Sequence, residues 1–473
     1  MTPSKSSSGR ATTPQHRAAA APAATADGHW VNDVHSRLNR TRVARSVRPR
    51  FISALQATVR SARTNNETVS VAACRHAMGG QQFGEGATLI DTTGLDRVLW
   101  FDATHGLVEV EAGIQWPQLI EALACIQEGA ERPWGIVQKQ TGADRLSLGG
   151  ALAANVHGRG LRFKPIVQDV ESFTLVDARG QLITCGRHEN PELFGLAIGG
   201  YGLFGVIATV TLRLSSRQKL RRVVEMNDIE SIMPAFERRI AQGCLYGDFQ
   251  ISTDPGSEGF LRAGILSCYQ PVDPATPIPD GQTRLAEADW LELLTLGHVD
   301  KARAFDLYTG HYLSTSGQVY WSDSHQLSTY IDGYHERLDR RLGCAVPGSE
   351  MITEVYVPRA ALGEFMAAVR RDFLAHEVDF IYGTLRLIER DSETFLAWAK
   401  EPYACMIFNL HVAHTAAGLA KAEADFRRLI DRAVALGGSY FLTYHRWASR
   451  AQVEACYPQF PEFLRRKRRH DPE

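Results

Sequence analysis

Residues 72–82 read Ala-Ala-Cys-Arg-His-Ala-Met-Gly-Gly-Gln-Gln and follow a strand-like apolar run that ends at Ala73. Cys74, Arg75, His76, Ala77 and Met78 lead into Gly79, Gly80 and Gln81. A glycine-bearing turn at a strand end can bring backbone N–H groups together on an anion, because glycine takes positive φ at little steric cost. Two further loops of this kind lie downstream. One runs Ser147-Leu148-Gly149-Gly150 through Ala154 and Asn155 to His157-Gly158, with Gly142 just upstream. The other is Gly199-Gly200-Tyr-Gly202-Leu-Phe-Gly205-Val-Ile207. Three such loops between residues 72 and 207, each beside a strand-like run, predict one segment folded around a large diphosphate cofactor.

The third loop fits the dinucleotide fingerprint as a string. That fingerprint requires a helix after the glycines. The next residues, Val206 to Leu214, are β-branched and alternating, which predicts a strand. A Rossmann arrangement is therefore excluded, and a tight turn without a ligand stays open for this loop taken alone.

Other polar residues offer acid–base chemistry. Phe441-Leu-Thr-Tyr444-His445 places a phenol and an imidazole side by side. Tyr444 is a candidate to hydrogen-bond a substrate hydroxyl or, helped by His445, to accept its proton; core packing is the alternative. Arg386 and Glu389, in Thr384-Leu-Arg-Leu-Ile-Glu389, alternate with apolar residues. That pattern suits polar side chains aimed into a cavity, and equally an exposed strand face. His411 and His414 sit three apart near a strand end, so they point different ways, and no third ligand is evident; no metal is expected. Cys74 reads as a small buried hydrophobe, and Arg465 to His470 as a solvated helix end.

The positioning elements are short. A helical pattern opens at Pro49 through Phe51, Leu55, Val59 and Ala62, and strands are predicted at 69–73, 88–91, 97–101 and 107–111. A helix begins at Pro117, a hairpin turns at 178–181, and a short helix comes after Asn190-Pro191. From about 215 the strands lengthen and the glycine loops cease. The tail predicts a long helix, a strand at 439–444 and a basic helix. The fold class is α+β: a two-lobed cofactor-binding domain at 28–215, a substrate-covering α+β cap with antiparallel sheet at 216–420, and a C-terminal segment at 421–473 that returns to the first domain.

Bulk properties set limits. The 473 residues are 44% hydrophobic, enough for two or three domains. A net charge of −1 from 52 basic and 53 acidic residues gives no steering toward nucleic acid. No apolar run is long enough for a membrane span. Eight cysteines without Cys-x-x-Cys spacing suit a reduced interior. Residues 1–27, rich in Ser, Thr, Ala and Pro, predict a disordered leader without a hydrophobic core or twin arginine. A cytoplasmic location is the expectation.

Arg75-His76-x-Met78-Gly79-Gly80-Gln81, the Ser-Leu-Gly-Gly segment ending in His157-Gly158, and Gly-Gly-Tyr-Gly-Leu-Phe-Gly-Val-Ile together resemble the vanillyl-alcohol-oxidase family of PCMH-type FAD proteins. The resemblance is nearest to the decaprenylphosphoryl-ribose oxidase and alditol or aldonolactone oxidase branches. It covers residues 40–215 and the tail from 435, and is faint between. It implies an FAD domain of two lobes under a cap, with residues 73–81 around the pyrophosphate. Gly142, Ser147 to Gly150, Ala154, Asn155 and His157 would line the cofactor, with Gly200 to Ile207 and Phe441 closing on it. His76 stands where relatives with covalent flavin carry the bonded histidine, similar to Gly-His-Ser-x-x-Gly-Gln of cytokinin dehydrogenases; a hydrogen bond to phosphate is the alternative. The cysteine of doubly linked relatives is Ala143 here, which leaves a single link. His157 resembles a histidine that places substrate, or is structural. Tyr444 replaces the lysine of the ribose oxidases.

The implied activity is oxidation of an alcohol carbon of a sugar, polyol or sugar-derived small molecule by hydride transfer to flavin N5. Oxygen, a quinone or a protein stands as the electron acceptor. A 2-hydroxyacid dehydrogenase with Arg386 as the carboxylate clamp, or a flavin-binding subunit that needs a partner for turnover, are the alternatives.

Overall fold

The computed structural model describes residues 28–472; the leader predicted at 1–27 lies outside the described residues. Leu55, Val59 and Ala62 share one face of the helix Ile52–Thr64 and are buried. Phe51, predicted to join that face, is instead the extended N-cap residue and half exposed. This helix backs a parallel three-stranded sheet in the order Arg45–Val47, Thr88–Asp91, Val69–Ala72. A second lobe is an antiparallel sheet of five strands. Its central strand, Val206–Arg213, lies between Val170–Val176 and Leu107–Glu111. Buried along nearly its whole length, that strand explains the β-branched run that excludes a Rossmann helix.

The remaining chain builds an eight-stranded antiparallel sheet. Its inner order is Lys219–Asp228, Ala263–Pro271, Tyr246–Ile251, Phe380–Ile388, Tyr403–Ala413, Gly348–Pro358. The two faces differ in chemistry because side chains alternate with period two. On one face Phe408 meets Phe365 and Phe373 of the helix Leu362–Ala375, forming the apolar core. On the other, cross-strand neighbours form polar rows. Gln250 pairs with Thr384, Thr384 with Ile407, and Ile407 with Glu354. A one-residue slip in register would bury this polar row against the helices.

The tail departs from the sequence reading. The strand predicted at 439–444 is only Ser439–Tyr440, paired to Gly348–Pro358 at the edge of the large sheet. The chain then turns, with Phe441 N–H donating to the Glu354 carbonyl at 2.9 Å. The last helix, Phe460–His470, reaches the cofactor lobes, where Phe463 packs edge-on against Phe204 at 5.0 Å. Two of its arginines are committed there: Arg466 and Arg469 both pair with Glu192. Among the described residues no helix is long and apolar enough to cross a membrane.

Candidate active site

A cavity of about 800 Å³ lies between the glycine loops and the polar face of the large sheet. The first loop supplies the wall from Ala73 through Met78, plus Gln81. Gly79 and Gly80, predicted to touch cofactor, do not line it. The Gly79 N–H donates to the Thr443 carbonyl at 3.1 Å, and a Cβ at Gly80 would sit 2.5 Å from Asn39 Oδ1. These glycines dock the loop on its neighbours. Cys74 lines the wall, and burial raises its thiol to about 11, consistent with a passive residue.

The second loop enters the helix Leu148–Ala154, with Ser147 Oγ accepting from Gly150 N–H. Ser147, Gly149, Gly150 and Ala154 line the cavity, whereas Leu148 faces the core. Asn155 is also turned away. It closes the helix in a left-handed conformation, and its amide donates to Asp391 Oδ2 at 2.9 Å. From the third loop Gly202, Gly205 and Ile207 line the wall; Gly200 does not, because it packs on the Leu196 carbonyl.

Gly142 and Gly202 test whether these walls suit a bound cofactor. Both have positive φ, +97° and +79°, and a Cβ at either would meet nothing within 4 Å. Both face the cavity, so they leave free space where a ligand can approach the backbone closely. The walls fit an extended dinucleotide.

His76 lines the same cavity, with Nδ1 2.7 Å from His35 Nε2. Burial lowers its pKa to about 4, so the ring is neutral, against opposing effects of the Arg145 backbone and of Asp332 and Asp33. Opposite, His157 Nδ1 donates to the Gly158 carbonyl at 2.8 Å, and Nε2 meets Glu354 Oε1. Glu354 Oε1 also accepts from Tyr356 Oη at 2.7 Å and from Cys405 Sγ at 3.2 Å. Burial pushes Glu354 up, but His157, Tyr356 and Arg386 outweigh it and hold the carboxyl below its usual range. With Nδ1 on a carbonyl and Nε2 on a carboxylate, the two residues form a buried histidine–carboxylate pair on the cavity wall.

Tyr444 lines this corner beside Phe441, which borders the cavity too. Burial, and then the Glu354 charge, push its phenol well above the ordinary range, so it stays protonated and serves as a donor. His445 does not help it. Its Nε2 lies 3.1 Å from Thr353 Oγ1, and its ring stacks on Phe426 at 4.8 Å. Thr353 and Glu354 point to opposite sheet faces, and so do the side chains that meet them. Arg386 faces the cavity and bonds Thr141 Oγ1, while its Nε has no partner. Glu389 is displaced from the site: it lies beyond the strand end and pairs with Arg359 at 2.8 Å.

Sequence reasoning missed much of the polar wall. Arg159 lies 3.5 Å from Asp248 and 4.7 Å over the Tyr269 ring, and Arg222 stands 4.2 Å over Tyr312. Arg159 Nε, Asp248 Oδ1, Gln250 Oε1 and Thr384 Oγ1 are buried without partners. Such groups are costly unless a ligand satisfies them. The available signal was alternation: Glu350, Ile352 and Glu354 fall on one face of the strand Gly348–Pro358.

Glycine loops and a polar sheet face that together enclose a long cavity define a cofactor-binding enzyme scaffold. Residues 43–186 match the family model described as FAD binding domain, and this segment is an FAD-binding domain. The chain is similar to the mitochondrial L-galactono-1,4-lactone dehydrogenase of Arabidopsis thaliana, 32% identical over 139 residues, which are 29% of this chain and 22% of that protein. It is similar to cytokinin dehydrogenase 4 of Oryza sativa subsp. japonica, 28% identical over 277 residues, 52% of this chain and 49% of that protein. With D-arabinono-1,4-lactone oxidase of Yarrowia lipolytica it shares 31% over 170 residues, 35% of this chain and 31% of that protein. The chain therefore spans at most about half the length of these relatives.

Proposed function

We propose that this protein is an FAD-dependent oxidoreductase that oxidises an alcohol carbon of a sugar-derived substrate, such as an alditol or aldonolactone. One observation carries this reading: the buried pair of Glu354 with His157 faces the cavity that the FAD-binding loops border. When bound, FAD supplies the hydride acceptor. The loops at 73–78, 147–154 and 202–207 would hold it. Glu354 is placed to take the hydroxyl proton, His157 stabilises that carboxylate, and Tyr444 donates a hydrogen bond that orients the substrate oxygen. The unpartnered polar atoms of Gln250, Thr384 and Arg386 suit a polyhydroxylated substrate. The names of the lactone-oxidising relatives support the same class.

Arg386, Arg159 and Arg222 on the wall favour a second reading, oxidation of a 2-hydroxyacid with its carboxylate held among the guanidinium groups. Anaerobic mixing with alditols, aldonolactones and hydroxyacids, following loss of the oxidised flavin band, separates the two. No bleaching by any alcohol substrate would leave the flavin-binding-subunit alternative in place of both.

The neutral imidazole of His76 supports a covalent link to the flavin as part of this proposal. Acid precipitation tests it: a linked flavin stays with the pellet, and His76→Ala releases it to the supernatant. A cytoplasmic setting belongs to the same proposal.

A further inference from the structure

The sequence left His411 without metal-binding company, but the fold brings company from two distant segments. Glu350 and His411 are directly opposed on neighbouring strands, Gly348–Pro358 and Tyr403–Ala413. His298, near the end of the helix Glu287–Val299, packs against them, its ring 4.9 Å from that of His411 and perpendicular to it. His298 Nε2 is 3.1 Å and His411 Nδ1 3.2 Å from the same oxygen, Glu350 Oε1. The candidate ligand atoms of these three residues all lie within 4.8 Å of one another.

The distances suit a metal and equally a hydrogen bond: ligands about 2.0–2.1 Å from a tetrahedral zinc ion stand roughly 3.3 Å from each other, and His411 Nδ1 hydrogen-bonds Glu350 Oε1 at 3.2 Å. What separates this group from an ordinary hydrogen-bonded cluster is pairing. His298 Nε2, both ring nitrogens of His335 and Glu350 Oε2 are buried without a hydrogen-bond partner. Glu350 is 2% and His335 4% exposed. His335 Nδ1 comes within 2.6 Å of Glu350 Oε2, yet off the axis needed for a hydrogen bond. By contrast, in the second candidate group, His157–Glu354–Cys405, His157 donates to a carbonyl and Glu354 Oε1 takes three partners.

We infer that His298, Glu350 and His411 form a binding site for one divalent transition-metal ion, best suited to Zn²⁺. Two imidazoles with one carboxylate exclude Mg²⁺ and Ca²⁺ as preferred occupants, since those ions take oxygen ligands. His335 lies beside the carboxylate's other oxygen, with Nδ1 2.6 Å from Glu350 Oε2. Water or a ligand oxygen completes the coordination, because Glu350 also borders the cavity. The ion would join the helix Glu287–Val299 to the polar face of the large sheet. This inference does not depend on the proposed substrate.

Metal analysis of the purified flavoprotein, stripped with a chelator and dialysed against Zn²⁺, tests it. One Zn²⁺ retained per chain is expected, and X-ray absorption of that sample should show imidazole nitrogen at about 2.0–2.1 Å. Glu350→Gln and His411→Asn should each weaken Zn²⁺ by at least about 10- to 100-fold while flavin content stays unchanged. His411 is the most exposed of the three, so its variant is the one expected to fold without change. Failure of the wild-type protein to retain Zn²⁺, an absorption spectrum without imidazole scattering, or wild-type affinity in a folded variant overturns the site.

Discussion

His157 Nε2 and Glu354 Oε1, 197 residues apart in the chain, share a buried hydrogen bond across the seam between the FAD-binding lobes and the large sheet. The pair places a carboxylate against a polar wall that a glycine loop could not supply. Glu354→Gln keeps shape but removes the proton acceptor. The expected result is a kcat lower by about 10²- to 10⁴-fold with bound flavin retained. Steady-state kinetics beside the flavin-to-protein absorbance ratio check it, and a kcat within twofold of wild type would reject Glu354 as the base.

Tyr444 is expected to act as donor and not base, because its phenol is held above the ordinary range. Tyr444→Phe should lower kcat/KM by about tenfold, the value of one hydrogen bond. It should leave the ascending, acidic limb of the pH–rate profile in place, because that limb belongs to the group that accepts the proton. Disappearance of that limb in the variant would return the proton-accepting role to the phenol.

Much of the cofactor half was legible because its signals are local. Glycine turns, β-branched strands and the Asp177–Gln181 hairpin turn depend on neighbours in sequence, and their elements stand near the expected positions. The site in the large sheet depends on register. The alternation left Arg386 and Glu389 equally open to a cavity or an exposed face; only the structure separates them, because the strand ends at Ile388 and Glu389 lies beyond it. Tyr444 and His445, adjacent in sequence, serve different surroundings: Tyr444 lines the cavity, whereas His445 meets Thr353 and stacks on Phe426. Gly79, Gly80, Leu148, Asn155 and Gly200 belong to the cofactor loops yet hold them from behind, a distinction that only tertiary packing makes.

Arg386 offers a test of substrate charge. If the cavity takes a hydroxyacid, Arg386→Met should raise KM about 10- to 100-fold for that substrate, as loss of a charged hydrogen bond does. Neutral alditols should respond far less. Equal effects on both classes would mean that Arg386 acts through its bond to Thr141, with no contact to a carboxylate.

The open space beside Gly202 predicts a specific loss of cofactor. Gly202→Ala adds a methyl group at φ +79° on the cavity wall. Gly243→Ala adds one at φ +85° with no neighbour within 4 Å, on a loop away from the cavity. Both substitutions carry comparable backbone strain, about 1–2 kcal/mol. Only the Gly202 variant should lose flavin in purification, so the control isolates contact from strain. Equal flavin content in the two proteins would remove this wall from the cofactor's path.

Buried neutral histidines set the acid stability. His445 and His76 each fall from 6.5 to about 4 on folding, with burial the largest cause. The unfolded chain therefore binds protons at higher pH than the folded one. Stability from these groups is complete above about pH 6.5 and declines as pH falls toward about 4, where the folded imidazoles also titrate. For fully buried His445 the decline is on the order of 3 kcal/mol. His445→Phe retains the stack on Phe426 and removes the titration. Its Tm should fall less than that of the wild type between pH 7 and pH 5, by about the few degrees that such an energy represents in a chain of this size. Thermal unfolding in matched buffers, with flavin content held constant, measures the difference; parallel curves for the two proteins would show that His445 does not carry this pH dependence.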